Sequence, residues 1–309
     1  MLKCQMRKWL KAALVSLTML SAGSAWATEN YQWSSPTGIL FFGSGMLPPS
    51  TPGGTFGLRS VFAYNSALYN QSGHKVDNNF GQFVNVTTPS YIRMTDIEIL
   101  GAKWGFLIAQ PIMTFNGGFD VHTPRGTMGL HDAKTGFADT TIEPFLLQWH
   151  FDDVFVNTGV AIQPPVGSYS SHTLFNPGNN YWTFGPHAAV TYISPSGFEA
   201  SSMVRVDFNT TNPTTHYHTG TELKIEAALG QHFGDLTVGP VGVLYQQIQD
   251  DSAASLTSTV RSRVYSAGLS VNFMRRGFPF TLQGTLLQDF GAESHTQGTS
   301  LALRGGWTF

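Results

Sequence analysis

Cysteine is almost absent from this chain. The only one, Cys4, lies among the basic residues Lys3, Arg7, Lys8 and Lys11. An apolar run from Ala12 to Leu20 follows, and then the small-x-small triplet Ala25-Trp26-Ala27. That order of basic, apolar and small residues is a secretory signal peptide, expected to span residues 1–27. Cleavage before Thr28 would carry Cys4 away and leave a mature chain with neither thiol nor disulfide. Cys4 is also not placed to become a lipid-modified first residue. An exported chain of this size without cross-links needs another source of rigidity, and a closed, hydrogen-bonded β-barrel supplies one.

Charge is scarce as well. Only 12% of the residues are Asp, Glu, Lys or Arg, against about 25% in an ordinary globular protein. The net charge of −2 comes with no basic stripe, which excludes a nucleic-acid partner. Downstream of the signal there is no run of about 18 apolar residues, so membrane-spanning helices are excluded. Catalytic signatures are missing too: G-x-S-x-G, H-E-x-x-H, a P-loop and a dinucleotide fingerprint do not occur. No catalytic residue and no cofactor is therefore assigned. His216-Tyr217-His218 could put two rings on one face of a strand, but no third ligand follows at a diagnostic spacing, so no metal site is assigned.

What the chain does have is aromatics, at 13%, and 33 glycines. These suit a wall with lipid on one side and a lumen on the other. The C-terminal nonapeptide shows the pattern: Leu301, Leu303, Trp307 and Phe309 share one parity, and Ala302, Arg304, Gly306 and Thr308 share the other. A period of two puts the sets on opposite faces of a strand. An outward aromatic face that ends on Phe309 fits the rim of an outer-membrane barrel, and the barrel-assembly machinery is expected to read it.

About twelve segments have this character: roughly 55–66, 90–102, 104–116, 138–150, 153–165, 180–193, 197–209, 216–232, 236–249, 260–273, 278–290 and 298–309. In the seventh, Phe198, Ala200, Val204, Val206 and Phe208 oppose Glu199, Ser201, Arg205 and Asp207. In the eighth, Leu223, Ile225, Ala227 and Leu229 oppose Glu222, Lys224, Glu226 and Ala228. The second changes phase near Thr95, as at a bulge, and Pro111, Pro144, Pro186 and Pro240 interrupt others. Tight turns near Lys103 and at 151–153, 194–197, 234–235 and 275–277 alternate with long polar connections at 67–89, 117–137, 166–179, 210–215, 250–259 and 291–297. Short periplasmic turns alternating with long outer loops are the rhythm of bacterial barrels. The expected fold is an all-β, transmembrane antiparallel barrel of about twelve strands over residues 55–309, a monomer in outer-membrane lipid and lipopolysaccharide.

Residues 28–54 break the rhythm. They carry Ile39-Leu40-Phe41-Phe42 and then Pro48-Pro49, and the apolar part needs burial. Two fates stay open for this segment: a plug folded partly into the lumen, or a loose periplasmic leader.

A lysine or arginine on the lipid face costs about 2–4 kcal/mol at the membrane midplane. Glu199, Arg205, Asp207, Glu222, Lys224, Glu226 and Arg304 are therefore assigned to the lumen, with Asp96 and Glu98. Glu143 is a further candidate, although it shares parity with Phe145 and Leu147. These groups either form a salt-bridge lattice that stiffens the barrel or, with Tyr245, His187 and Gln283, line a solute path. The two roles are compatible. Phe41, Phe42 and Tyr69 are placed together as an apolar binding site formed by the N-terminal segment and the first loop.

Several short motifs recur in combination. They are Pro48-Pro49 with Gly53-Gly54, Tyr64-Asn65, Ile99-Leu100-Gly101-Ala102 leading to Pro111, and Gly136-Phe137-Ala138-Asp139 leading to Pro144. Asn180-Tyr181-Trp182-Thr183-Phe184-Gly185-Pro186 and Gly239-Pro240-Val241-Gly242 complete the set. In these the chain resembles the outer-membrane protein family named for the MetA (meta-cleavage) pathway of phenol degradation. The resemblance implies a passive channel for small hydrophobic or aromatic compounds such as phenols, and it supplies no catalytic residues. Two other functions stay open: an outer-membrane barrel enzyme of the phospholipase kind, and a structural barrel without transport.

Overall fold

The computed structural model describes residue 29 and residues 33–254, 256, 258–275 and 277–309. The expected signal peptide, residues 1–27, lies outside the described residues. Fourteen strands account for most of the rest: β1 (Thr55–Leu68), β2 (Gly81–Ile99), β3 (Ala102–Ala109), β4 (Ile112–Thr123), β5 (Gly126–Phe137), β6 (Thr141–Phe151) and β7 (Val154–Gln163). They continue as β8 (Thr183–Ile193), β9 (Phe198–Asn209), β10 (Glu222–Phe233), β11 (Leu236–Gln247), β12 (Arg263–Met274), β13 (Phe280–Glu293) and β14 (Thr296–Thr308). No helix among the described residues is long and apolar enough to cross a membrane.

Every pairing is antiparallel, and β1 bonds to β14 on one side and β2 on the other, so the sheet closes on itself. Four of the elements are halves of longer strands. β3 and β4 both pair with the 19-residue β2, with Ser90↔Ala109 and Thr87↔Ile112 flanking a break at Gln110-Pro111. Pro111 has no N–H to give to the ladder, so the strand is cut there. β5 and β6 are likewise the two halves of the next strand, interrupted at residues 138–140. The wall is therefore a twelve-strand antiparallel barrel built from fourteen elements.

The ladder explains the phase change read near Thr95, because the β2–β3 register shifts between Met94 and Glu98. Two of the expected long connections need correction. Residues 81–89 extend β2, and 117–137 form the end of β4 and all of β5. Gly117-Gly118 and the charges at Asp120, Asp132 and Lys134 resemble a loop in sequence, yet the β4–β5 hairpin pairs residue for residue from Ile112↔Phe137 to Thr123↔Gly126. The first tight turn is Leu100-Gly101, both at positive φ (54° and 74°), which suits a two-residue hairpin.

The two faces differ as a barrel in lipid requires. Leu269 is 62% exposed on the outside, while its neighbour Ser270 is 1% exposed within. Phe56, Phe62, Phe208, Phe290, Leu286 and Trp307 continue the outward apolar surface. Water-soluble proteins bury such side chains, and a membrane receives them. Asp96, expected in the lumen, is instead on the exposed short-turn end of β2, where it pairs with Lys103; Glu98 is exposed there too. Both keep the parity of buried Met94, and their position at the end of the wall is what exposes them.

Candidate functional site

One half of the lumen is occupied by the chain itself. Residues 33–54 run down the interior from the long-loop end to the short-turn end as an irregular strap with a turn at 42–45, and the barrel wall supplies most of the partners for its backbone. The Ser34 amide and hydroxyl both donate to Glu222 Oε1 (3.3 and 3.0 Å). The amides of Ile39 and Leu40 donate to the two oxygens of Glu226, each at 3.1 Å. Gly43 donates to Glu199 Oε1 at 2.7 Å, and Gly45 to Thr191 Oγ1 at 2.8 Å. Asn157 Nδ2 donates to the Ser44 carbonyl at 2.7 Å. From the other side, Arg59 Nη2 donates to the carbonyls of Thr37 and Gly38, both at 2.9 Å, and Arg304 Nη1 to that of Ile39 at 3.5 Å. Carboxylates of β9 and β10 thus hold strap N–H groups, and guanidiniums of β1 and β14 hold strap carbonyls. A segment with no sheet of its own has its buried polar groups satisfied in this way.

Around the Glu222 clamp lies a compact ionic cluster. Asp207 accepts from Arg205 Nε (2.6 Å) and Lys224 Nζ (2.5 Å), and Lys224 also reaches Glu222 Oε2 at 2.8 Å. Ser35 enters it from the strap: its hydroxyl donates to Asp207, and its carbonyl and hydroxyl accept from Lys224. Two acids and two bases, all buried, balance one another. Each would be costly alone, so the cluster stands or falls as a unit.

Apolar contacts bracket the polar ones. Phe41 and Phe42 are buried with Ala228, Val241, Val243 and Leu287. Higher up, Trp33 stacks on His295 (5.4 Å between centroids) and tilts against Tyr245 (5.7 Å). Its indole N–H donates to His295 Nε2, and His295 Nδ1 donates to the Thr296 carbonyl at 2.7 Å. Burial pushes the His295 imidazole down to about 4, so it is neutral near pH 7. Glu29 is held among the outer loops by Tyr169 Oη (3.1 Å) and Asn212 Nδ2 (2.7 Å). Burial, and secondarily the Glu29 charge, pushes the Tyr169 phenol up to about 12. At the opposite end the strap meets the chain terminus: Gly53 N donates to the Phe309 carbonyl (3.1 Å), and Phe309 N to that of Gly54 (3.0 Å).

The seven lumenal candidates on β9, β10 and β14 all face inward. Six of them, Glu199, Arg205, Asp207, Glu222, Lys224 and Glu226, are buried, and Arg304 is half-buried. Glu143 is buried as well and meets His187 Nε2 at 3.0 Å. The register shift between Ile142 and Leu146, at Pro144, turns Phe145 outward while Glu143 stays inside. Tyr69 does not join Phe41 and Phe42. It packs against Tyr245, Val264 and Ala292 beside Trp33, in a separate cluster nearer the long-loop end. Tyr69 lies at the outer end of the wall just past β1, while the two phenylalanines lie deeper, so loop and strap meet at Trp33 instead. Sequence reading also passed over Arg59, Trp33 and His295. Arg59 had a signal, since it alternates with Phe56, Leu58 and Phe62 on β1.

The strap leaves the other half of the lumen uncovered. Inward residues of β7 through β13 are almost all buried, whereas those of β1, β2 and β14, including Val61, Ala63, Val86, Thr88, Ala302 and Arg304, are half-exposed. A lane reachable by water runs between the strap and the β14–β1–β2 wall. The Trp33–Tyr245–His295 cluster and buried Leu68 lie at the long-loop end of the barrel.

Comparison with known proteins agrees with this geometry. No curated protein sequence matches the chain. Among solved structures, an outer-membrane channel from Pseudomonas putida F1 superposes with a TM-score of 0.69 at 14% identity, covering 87% of this chain and 100% of that one. The β domain of the Bordetella autotransporter BrkA gives 0.46 at 12% identity, covering 83% and 100%. The first likeness shows a shared barrel fold. Residues 65–305 match one family model, and over that span, from the last part of β1 into β14, the chain belongs to the family described as "Putative MetA-pathway of phenol degradation".

Proposed function

We propose that the protein is a passive outer-membrane channel for small hydrophobic or aromatic compounds of the phenol type, acting as a monomer and without catalysis. The observation that carries this reading is the half-filled lumen. A stiffening barrel needs no lane, yet here one wall is left accessible from the inside while the strap is clamped to the opposite wall. The family's place in phenol degradation and the channel named among its structural neighbours support the same reading. Small aromatic solutes cross the polar lipopolysaccharide leaflet slowly, and a barrel with an apolar-lined interior offers them a path. Val61, Ala63, Val86 and Ala302 supply apolar surface along it, while Phe41 and Phe42, buried against the opposite wall, anchor the strap that borders it. The outward ring of Phe309, 58% exposed, is the feature offered to the barrel-assembly machinery.

On this reading the Trp33 cluster caps the lane at its long-loop end, and passage requires it to yield. The decisive experiment is phenol influx into proteoliposomes whose outer leaflet carries lipopolysaccharide. Influx above that of protein-free vesicles is expected, and removal of residues 33–45 should raise it. Equal influx with and without protein would leave a purely structural barrel. Turnover of a phospholipid by the detergent-solubilised protein with calcium would overturn the non-enzymatic reading.

A further inference from the structure

Arg59 and Arg304 are direct register partners across the β1–β14 pair, and both face the lane. Side chains so placed have Cβ atoms about 4.5–5.5 Å apart, and like charges at that separation destabilise a sheet. Neither arginine has a carboxylate within ion-pair distance among the described residues. The acids of the lumen have nearer partners: Asp207 and Glu222 in Lys224, Glu199 in His232, Glu143 in His187, Asp289 in Ser266 and the Gly298 amide, and Glu226 in the strap amides of Ile39 and Leu40, from where it still attracts both guanidiniums beyond contact distance. Apart from Asp96 and Glu98 at the exposed short-turn end, the inward faces of β1, β2 and β14 hold no other charged side chain. Each guanidinium gives one nitrogen to strap carbonyls, and both side chains are half-exposed, so further N–H donors point into the lane. Gln283 pairs with Arg304 and Thr88 with Arg59, which continues a row of polar groups around the wall at one height.

We infer that this arginine pair is a selectivity element that favours small aromatic carboxylates over neutral aromatics of the same size. The inference rests on the channel reading above and narrows its substrate class. A planar carboxylate matches the fork of a guanidinium, and two forks side by side offer donors to both of its oxygens. The ring then lies along Val61, Ala63 and Ala302 of the same wall. A lane of one charge sign within a low-dielectric wall raises the local concentration of the opposite ion by about tenfold or more. Phenol is uncharged near pH 7 and makes no ion pair with the arginines, whereas benzoate does. The repulsion between two arginines set side by side is accounted for by this use together with the strap carbonyls that both hold.

The test uses the full-length protein in planar bilayers and in liposomes. In a KCl gradient the reversal potential should have the sign of an anion-selective pore. Benzoate flux should exceed that of benzamide, its neutral counterpart, by about tenfold after subtraction of the protein-free rate. The double variant Arg59→Gln, Arg304→Gln should lose the preference for benzoate, so that the ratio of benzoate to benzamide flux falls to about one even if the loss of the strap contacts raises both fluxes. Arg59→Lys with Arg304→Lys should retain the anion-selective sign, and heat-modifiable gel migration checks that each variant is folded. Equal benzoate and benzamide flux through the unaltered protein, or a cation-selective reversal potential, overturns the inference while leaving the channel intact. Flux of neither solute overturns the channel reading itself, and this inference with it.

Discussion

The ring of Phe42 lies against Gly230, in the space where a side chain on that inward position of β10 would stand. A Cβ added at Gly230 would overlap the Phe42 ring edge. The glycine is therefore a notch in the wall, and the phenylalanine is the part of the strap that fits it. Nothing about the backbone of β10 demands glycine there, since the strand runs regularly through Gly230↔Glu199.

Filling the notch should loosen the strap. Gly230→Leu places a branched side chain where Phe42 now lies, and overpacking of this kind costs about 1–3 kcal/mol. The barrel wall has many other bonds and should survive. The expected outcome is faster protease cleavage within residues 33–54, higher conductance, and unchanged heat-modifiable gel migration. Phe42→Ala in the same background should relieve the overlap and restore protection.

Glu226 offers a second handle on the strap. Its two oxygens satisfy two buried amides at once. Glu226→Ala leaves both unsatisfied, at about 1–3 kcal/mol each. Glu226→Gln is almost isosteric, but its amide oxygen can accept from only one of them, and its NH2 group opposes the other N–H. Both variants should speed hydrogen exchange at Ile39 and Leu40, with alanine the more severe. Equal protection in all three proteins would show that Phe41 and Phe42 hold the strap without help.

The contrast between these two handles follows what can be read from sequence. Glu226 was legible, because period-two alternation with Leu223, Ile225 and Leu229 places it inside a wall whose outer face is in lipid. Gly230 as a notch was not, because its partner is 188 positions earlier in a segment with no periodicity. Parity fixes a residue's face but not its height, so Tyr69 could be put on the same side as Phe41 without reaching it. The β4–β5 hairpin escaped for a different reason: glycines and charges make a poor lipid-facing pattern, and the ladder, not the side chains, identifies it. At Glu143, Pro144 breaks the very alternation from which its face would be inferred.

The cap over the lane should respond to acid. His295 accepts from the Trp33 indole at Nε2 and donates from Nδ1 to Thr296, which only the neutral tautomer can do. Protonation would set an N–H against the indole N–H. The folded-state value of about 4 lies below the free imidazole's 6.5, so the cap's stabilisation is complete above pH 6.5 and is lost as pH falls toward 4. The shift corresponds to about 3 kcal/mol over that window. Among the described residues, the only ring besides Trp33 packed on this imidazole is Tyr245, which carries no positive charge to complicate the titration. Conductance should rise as the pH is lowered from 6.5 to 4, and His295→Phe should remove the dependence while keeping the stacked ring.

The orientation of the barrel has its own test, made simple by the scarcity of thiols. Cys4 is the only cysteine, and cleavage at the expected signal site would remove it, so an introduced cysteine reports alone. Ser72 is exposed in the long connection between β1 and β2, and Asp235 is exposed in the two-residue turn between β10 and β11, at the opposite end of the wall. If the long connections face the medium, as the alternation of connection lengths requires, a membrane-impermeant maleimide added to intact cells should label Ser72→Cys and spare Asp235→Cys until the outer membrane is broken. The reverse pattern would invert the barrel. It would put the Trp33 cap at the periplasmic mouth and oblige solutes to meet the Arg59–Arg304 pair before the cap rather than after it.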